Sequence, residues 1–168
     1  MSGIQAPDKE TMEACRLYVD NLIKPIHSLG KLEDIAVRLA GITGKIKPGK
    51  LNKAIVIMAG DTAVDGENKT GGKTSLTEVQ MASRGLGTVS AVARTLGAPV
   101  YLIDVGLEQN TNDIEGVLTN KVVYGTHRGN PALDQDAVSA AISIGMSVAR
   151  TLAVQGIQAE IGRASCRE

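Results

Sequence analysis

The 168-residue chain has no phenylalanine, no tryptophan and only three tyrosines. Its core must therefore be built from Ile, Val, Leu, Ala and Met. Such a core suits layered helices and sheet and leaves few rings for stacking on nucleobases. Charge of one sign is missing too: 18 basic and 18 acidic residues cancel, and no basic block stands out. A nucleic-acid surface is not expected. The two cysteines, Cys15 and Cys166, form no motif, so a reduced cytoplasmic setting is expected. No run approaches the roughly 18 apolar residues of a membrane helix. The N-terminus, MSGIQAPDKETMEAC, is polar and acidic rather than signal-like. Neither a membrane nor a nucleic acid is an expected partner.

What is present reads as two regions. Over residues 8–23, Met12, Cys15, Tyr18, Val19, Leu22 and Ile23 recur at helical spacing, and Lys24-Pro25 ends the segment. A second helix is predicted from Lys31, with Leu32, Ile35, Ala36, Leu39 and Ala40 on one face. A basic Gly/Pro connector over 41–52 then marks a boundary. The domains are expected as a helical segment over 1–50 and a larger domain over 51–159. Beyond the boundary the pattern predicts a strand at Ala54–Met58 and a long helix at Leu76–Leu96. A second strand follows at Val100–Val105, a third at Lys121–Tyr124, and another long helix at Leu133–Gln155. Continuous apolar strands alternating with helices predict an α/β fold. Its Rossmann-like parallel sheet would be covered on both faces and truncated by the chain's end.

A fourth strand is expected after Gln155-Gly156-Ile157, yet the chain turns small and basic as AEIGRASCRE. Residues 160–168 can be back-translated to a string resembling the start of a common sequencing adapter. The expectation is that they are a non-native tail and that no fourth strand arrives.

The loop AGDTAVDGENKTGGKTS at 59–75 ends in Gly-Lys-Thr and invites a phosphate-binding reading. A Walker A loop with Lys73-Thr74 needs glycine at position 67, which is Glu67. Ser75 to Glu78 instead fits a capping box, Ser-x-x-Glu, opening the next helix.

Several stretches resemble one enzyme family in order. LIKPIHSLGKLEDIAVRLAGI at 22–42 is similar to its signature Lys-Pro-Pro-Gly-Ser-Leu-Gly-x-Leu-Glu. KAIVIMAGD at 53–61, Thr77-x-x-Gln80 and LGAPVYLIDVG at 96–106 follow, and GTHRGNPAL at 125–133 is a looser match. The family is the nicotinate-nucleotide:dimethylbenzimidazole phosphoribosyltransferases of cobalamin assembly. The resemblance implies a homodimeric enzyme with a Rossmann-like domain and a small helical domain. Such an enzyme moves phosphoribose from nicotinate mononucleotide to an aromatic base, giving α-ribazole phosphate. It implies no metal and no redox cofactor. It places Gln80, Asp61, Glu67, Thr77 and Gly72 around the base. The family's general-base glutamate falls beyond this chain, so no residue here is expected to be catalytic; Glu115 does not align with it. Departures exist: Thr62-Ala63 stand where the family has His-Gly, Gly72 where it has serine, and Ile26-His27 where it has Pro-Gly. They leave open a partner subunit of a heterodimeric relative using phenolic or other bases. The P-loop nucleotide-binding protein remains a further alternative.

Overall fold

The computed structural model describes residues 4–61, 75–107, 109–122 and 133–165. They divide after Leu51 into two compact units.

The first unit is a helix pair, α1 (Lys9–Asp20) and α2 (Lys31–Thr43). Asp8 caps α1 by accepting from the backbone N–H groups of Glu10 and Thr11, both at 3.2 Å. This satisfies two of the amides that a helix start leaves unpaired. The Thr11 hydroxyl also donates to Asp8, and that bond leads the causes holding the Asp8 carboxyl below its ordinary value of 3.8. Helix α1 stops earlier than the apolar spacing predicts. Both the backbone N–H and the side-chain amide of Asn21 turn back onto the Leu17 carbonyl, which leaves Leu22 and Ile23 exposed.

Cys15, Val19, Val37 and Ala40, with Met12, form the core between the two helices. The buried face of α2 is only partly the predicted one. Ala40 is buried as expected and Ala36 and Leu39 are half-buried, but Glu33, Val37 and Gly41 complete the buried face while Leu32 and Ile35 are exposed. Two contacts rotate the helix. Lys24 draws Glu33 inward through an ion pair of 2.9 Å. Met12 packs so closely on Gly41 that a β-carbon there would lie 2.5 Å from its Cγ. Gly41 thus belongs to the helix contact rather than to the connector.

The second unit is a four-stranded sheet of β1 (Lys53–Gly60), β2 (Val100–Gly106), β3 (Val117–Thr119) and β4 (Ala159–Ser165). The order is β3-β2-β1-β4 and every pairing is parallel. Strand side chains alternate faces, and the register sorts them. Ile55, Ile57 and Leu102 pack with Ala93 and Ala98 on one face. Val56 and Ile103 pack with Leu152 on the other, flanked by Val148 and Ile157. The helices supplying these contacts are α3 (Ser75–Ser83), α4 (Thr88–Leu96) and α5 (Gln135–Val154).

Four expectations change. The long helix over 76–96 is two helices, broken where Gly85 and Gly87 take φ of 70° and 90°, a region side-chain-bearing residues avoid. The third strand lies at Val117–Thr119 rather than at 121–124. The chain enters it through Gly116 at φ 80°, and Lys121 turns onto the preceding loop instead. A fourth strand does form, with Lys53↔Ala159 through Ala59↔Ser165 in register. Five of its seven residues are exposed. Pairing needs only backbone groups, so a polar sequence can occupy an edge that apolar composition did not announce. Asn52 secures its start: its carbonyl accepts from the N–H groups of Gln158 and Ala159, and its amide donates to Gly156. Last, α5 is long and apolar enough, by length and composition alone, to cross a membrane. The sequence reading looked for an unbroken apolar run, and Ser, Gly, Arg and Thr interrupt this one. In the fold, Leu152 is its one buried residue.

Candidate functional site

In open parallel sheets, ligands settle beyond the carboxyl ends of the strands. Here those ends are Gly60-Asp61 after β1, Asp104–Leu107 after β2, and Thr119 after β3. The β1–β2 register shifts between Ala59 and Gly60, a bulge at the sheet's rim. Past it, the Asp61 N–H donates to the Gly106 carbonyl at 3.0 Å. Ala59, Val79 and Leu107 form a small buried cluster there, which seats α3 against both strand ends.

The β2 exit is built around Asp104, which is fully buried. Its Oδ1 accepts from the N–H groups of Gly106 at 3.0 Å and Leu107 at 2.8 Å. Its Oδ2 accepts from the Thr111 hydroxyl at 2.5 Å. The Lys121 ammonium stands 3.4 Å from the same oxygen. Lys121 also donates to the carbonyls of Leu107 and Gln109, at 2.7 and 2.5 Å. The Thr111 and Thr119 hydroxyls are 3.1 Å apart, closing the loop onto β3. A buried carboxylate is tolerated only when its oxygens are met in this way. The network is structural: it pins Leu107 and the 109–121 segment to the sheet's end.

That segment forms one wall of a cleft of about 800 Å³. Asn110, Asp113, Ile114, Glu115 and Gly116 line this side, and Gln80 and Ser83 of α3, with Arg84 just after it, line the other. Positions 80 and 83 share a face of α3 by their i, i+3 spacing, and Arg84 follows the helix end. An exposed amide at Gln80 can both donate to and accept from a heterocycle edge. With Arg84 against Asp113 and Glu115, the cleft carries a net negative charge. A smaller hollow of about 450 Å³ lies beside β4, between Glu78, Met81 and Leu86 on one side and Arg163 and Ser165 on the other.

Of the predicted base-binding residues, Gln80 is exposed in the larger cleft. Thr77 and Asp61 are half-buried and are not among the residues lining it. Glu67 and Gly72 lie outside the described residues, as do the Gly-Lys-Thr loop and the 125–133 stretch. The capping box is not formed. Helix α3 begins at Ser75 itself, whose buried hydroxyl has no hydrogen-bond partner. The Glu78 carboxylate accepts instead from the Ser165 hydroxyl at 2.8 Å. The residue that sequence reasoning underrated is Asp104. One acid inside the apolar run VYLIDV was the available signal, because burial without partners would be prohibitive.

A parallel sheet flanked by helices, with a polar cleft between α3 and the segment that enters β3, is an architecture that small-molecule-binding α/β domains share. The chain belongs to the phosphoribosyltransferase family, whose model matches residues 4–162. It is 39% identical over 158 residues to the nicotinate-nucleotide–dimethylbenzimidazole phosphoribosyltransferase of Alkaliphilus metalliredigens (strain QYMF), spanning 92% of this chain and 45% of that protein. To the protein of the same name from Geobacter sulfurreducens it is 33% identical over 162 residues, 94% of this chain and 46% of the other. The crystal structure of the Thermus thermophilus protein of that name superposes with a TM-score of 0.85 at 29% identity, covering 95% of this chain and 49% of that one. The chain thus spans about half the length of the relatives it matches.

Proposed function

We propose that this chain is the N-terminal portion of an enzyme of cobalamin nucleotide-loop assembly. The enzyme transfers phosphoribose from nicotinate mononucleotide to dimethylbenzimidazole or a related base and gives α-ribazole phosphate. The observation that carries this reading is the similarity to proteins of that name along more than nine-tenths of the chain. The base-binding role falls to Gln80, Asp61, Thr77, Glu67 and Gly72. Gln80 is supported by its place in the cleft between α3 and the 110–116 segment. The transfer needs a carboxylate to take the acceptor's proton and a donor held in line. Neither role is assigned to a residue of this chain, and the whole protein works as a dimer in the cytoplasm, its transfer step needing no metal or redox cofactor.

Calorimetric titration of the chain with dimethylbenzimidazole tests the site. Saturable binding that weakens about tenfold in Gln80→Ala is expected, and binding of a phenol in its place would favour the partner-subunit reading. Incubating the chain alone with both substrates should form no α-ribazole phosphate; product would overturn the assignment of catalysis elsewhere.

The same reading takes residues 160–168 as foreign to the native chain, supported by the exposed composition of β4. Long-read sequencing of the source DNA across codon 159 decides it. A different continuation is expected, and an unchanged one removes the proposal.

A further inference from the structure

The signature segment between α1 and α2 departs from the family pattern at His27, where the pattern has glycine. The backbone there shows why glycine suits the position. His27 is the only described non-glycine residue with positive φ, at 60°, a region that L-residues enter at a cost. The departure does more than strain the turn, because it brings an imidazole to two carboxylates from separate segments.

Glu33, in the first turn of α2, is buried, and its two oxygens are used unequally. Oε1 forms an ion pair with Lys24 Nζ at 2.9 Å and accepts from the Leu29 N–H at 3.2 Å. Oε2 faces His27 Nδ1 at 3.4 Å. Asp20, at the end of α1, is half-buried. Its side chain has no hydrogen bond or ion pair among the described residues. One donor atom from each of Asp20, His27 and Glu33 lies within 4.8 Å of the other two.

We propose that Asp20, His27 and Glu33 form a site for one divalent transition-metal ion of the Zn²⁺ type. Three arguments carry it. An imidazole with two carboxylates is a donor set such ions accept, with water free to take the remaining position. Two ligands about 2.0–2.1 Å from a tetrahedral ion stand about 3.4 Å apart, which is the separation of His27 Nδ1 and Glu33 Oε2 and is long for a hydrogen bond. The charge also fits. With Lys24 held on Oε1, the two carboxylates leave one net negative charge facing the ion. His27 is 71% exposed and gives an entry path. The ion would clasp the end of α1 and the signature turn to the start of α2. It would be structural, remote in role from phosphoribosyl transfer, and independent of the function proposed above.

The test uses the whole chain without a histidine tag, Zn²⁺ in calorimetry, and Co²⁺ as a spectroscopic probe. One equivalent should bind, with Co²⁺ showing visible ligand-field bands but no intense near-ultraviolet thiolate band. His27→Gly restores the residue best suited to the backbone and should fold. It should weaken binding by more than the roughly tenfold that loss of even an outer-shell partner costs. Asp20→Asn, nearly isosteric, should weaken it similarly. Absence of stoichiometric binding, unchanged affinity in both variants, or a thiolate band placing the metal on cysteine would each overturn the proposal.

Discussion

Each unit pairs a lysine with a buried carboxylate, Glu33 in one and Asp104 in the other, and the two pairs differ in how fully the acid is used. Asp104 is sealed: both oxygens meet donors from its own loop, and Lys121 adds its charge at 3.4 Å. Glu33 is sealed on one side only. Lys24 and the Leu29 amide fill Oε1, whereas Oε2 is left to His27. A carboxylate with no capacity left can only hold structure. One with a spare oxygen beside other donors can also receive a ligand. The fold therefore uses one chemistry for two purposes, and geometry separates them.

The largest effect should come from breaking the sealed pair. Asp104→Ala leaves two amides, a hydroxyl and an ammonium without their acceptor. It should destabilise the sheet unit by about 3–5 kcal/mol. Urea denaturation would read this as a lower midpoint, and hydrogen exchange would show the opening concentrated in 107–121. The half-open pair should matter less. Glu33→Gln keeps the shape and loses the charge opposite Lys24, so the helix unit should melt at a lower temperature, by less than Asp104→Ala lowers that of the sheet unit. If the two losses match, the distinction between the pairs fails.

A smaller change of opposite sign is expected at His27. Without metal, His27→Gly should stabilise the helix unit by about 0.5–1 kcal/mol, the relief of left-handed strain trimmed by glycine's freedom in the unfolded chain. With saturating Zn²⁺ the order of stability should invert. The smallest effect concerns Asp8. Its carboxyl titrates below its ordinary value in the folded chain. Its contribution is therefore complete above that ordinary value and lost as pH falls through the lowered one. Thermal melts between about pH 5 and pH 2 should show a shallower acid limb in Asp8→Ala than in the parent, together with a lower melting temperature at neutral pH.

Much of the layout was legible in residue order. Apolar runs at 54–58 and 100–105 had to be buried strands, and the 3.6-residue spacing of Met12, Cys15 and Val19 had to be a helix face. The signature stretches named the family before any coordinates did. The errors share a cause. Helix α2 presents Glu33 rather than Leu32 to the core because Lys24 and the close approach of Met12 to Gly41 set its rotation. The pattern of apolar residues could not report either contact. The predicted capping box gave way because Ser165, 87 residues away, claims Glu78. Strand β4 formed from polar residues because its partner is a backbone edge.

The sequence by itself determined the elements that depend on neighbours along the chain. These are the strand runs, the helix cap at Asp8, and the glycine break at 85–87, which apolar spacing alone had passed over. Burial periodicity and local hydrogen bonds are short-range properties. The tertiary structure alone decided the loop closure at Asp104, the cleft opposite Gln80 and the meeting of Asp20, His27 and Glu33. Each joins groups from separate segments, and such distances are fixed only once the segments pack.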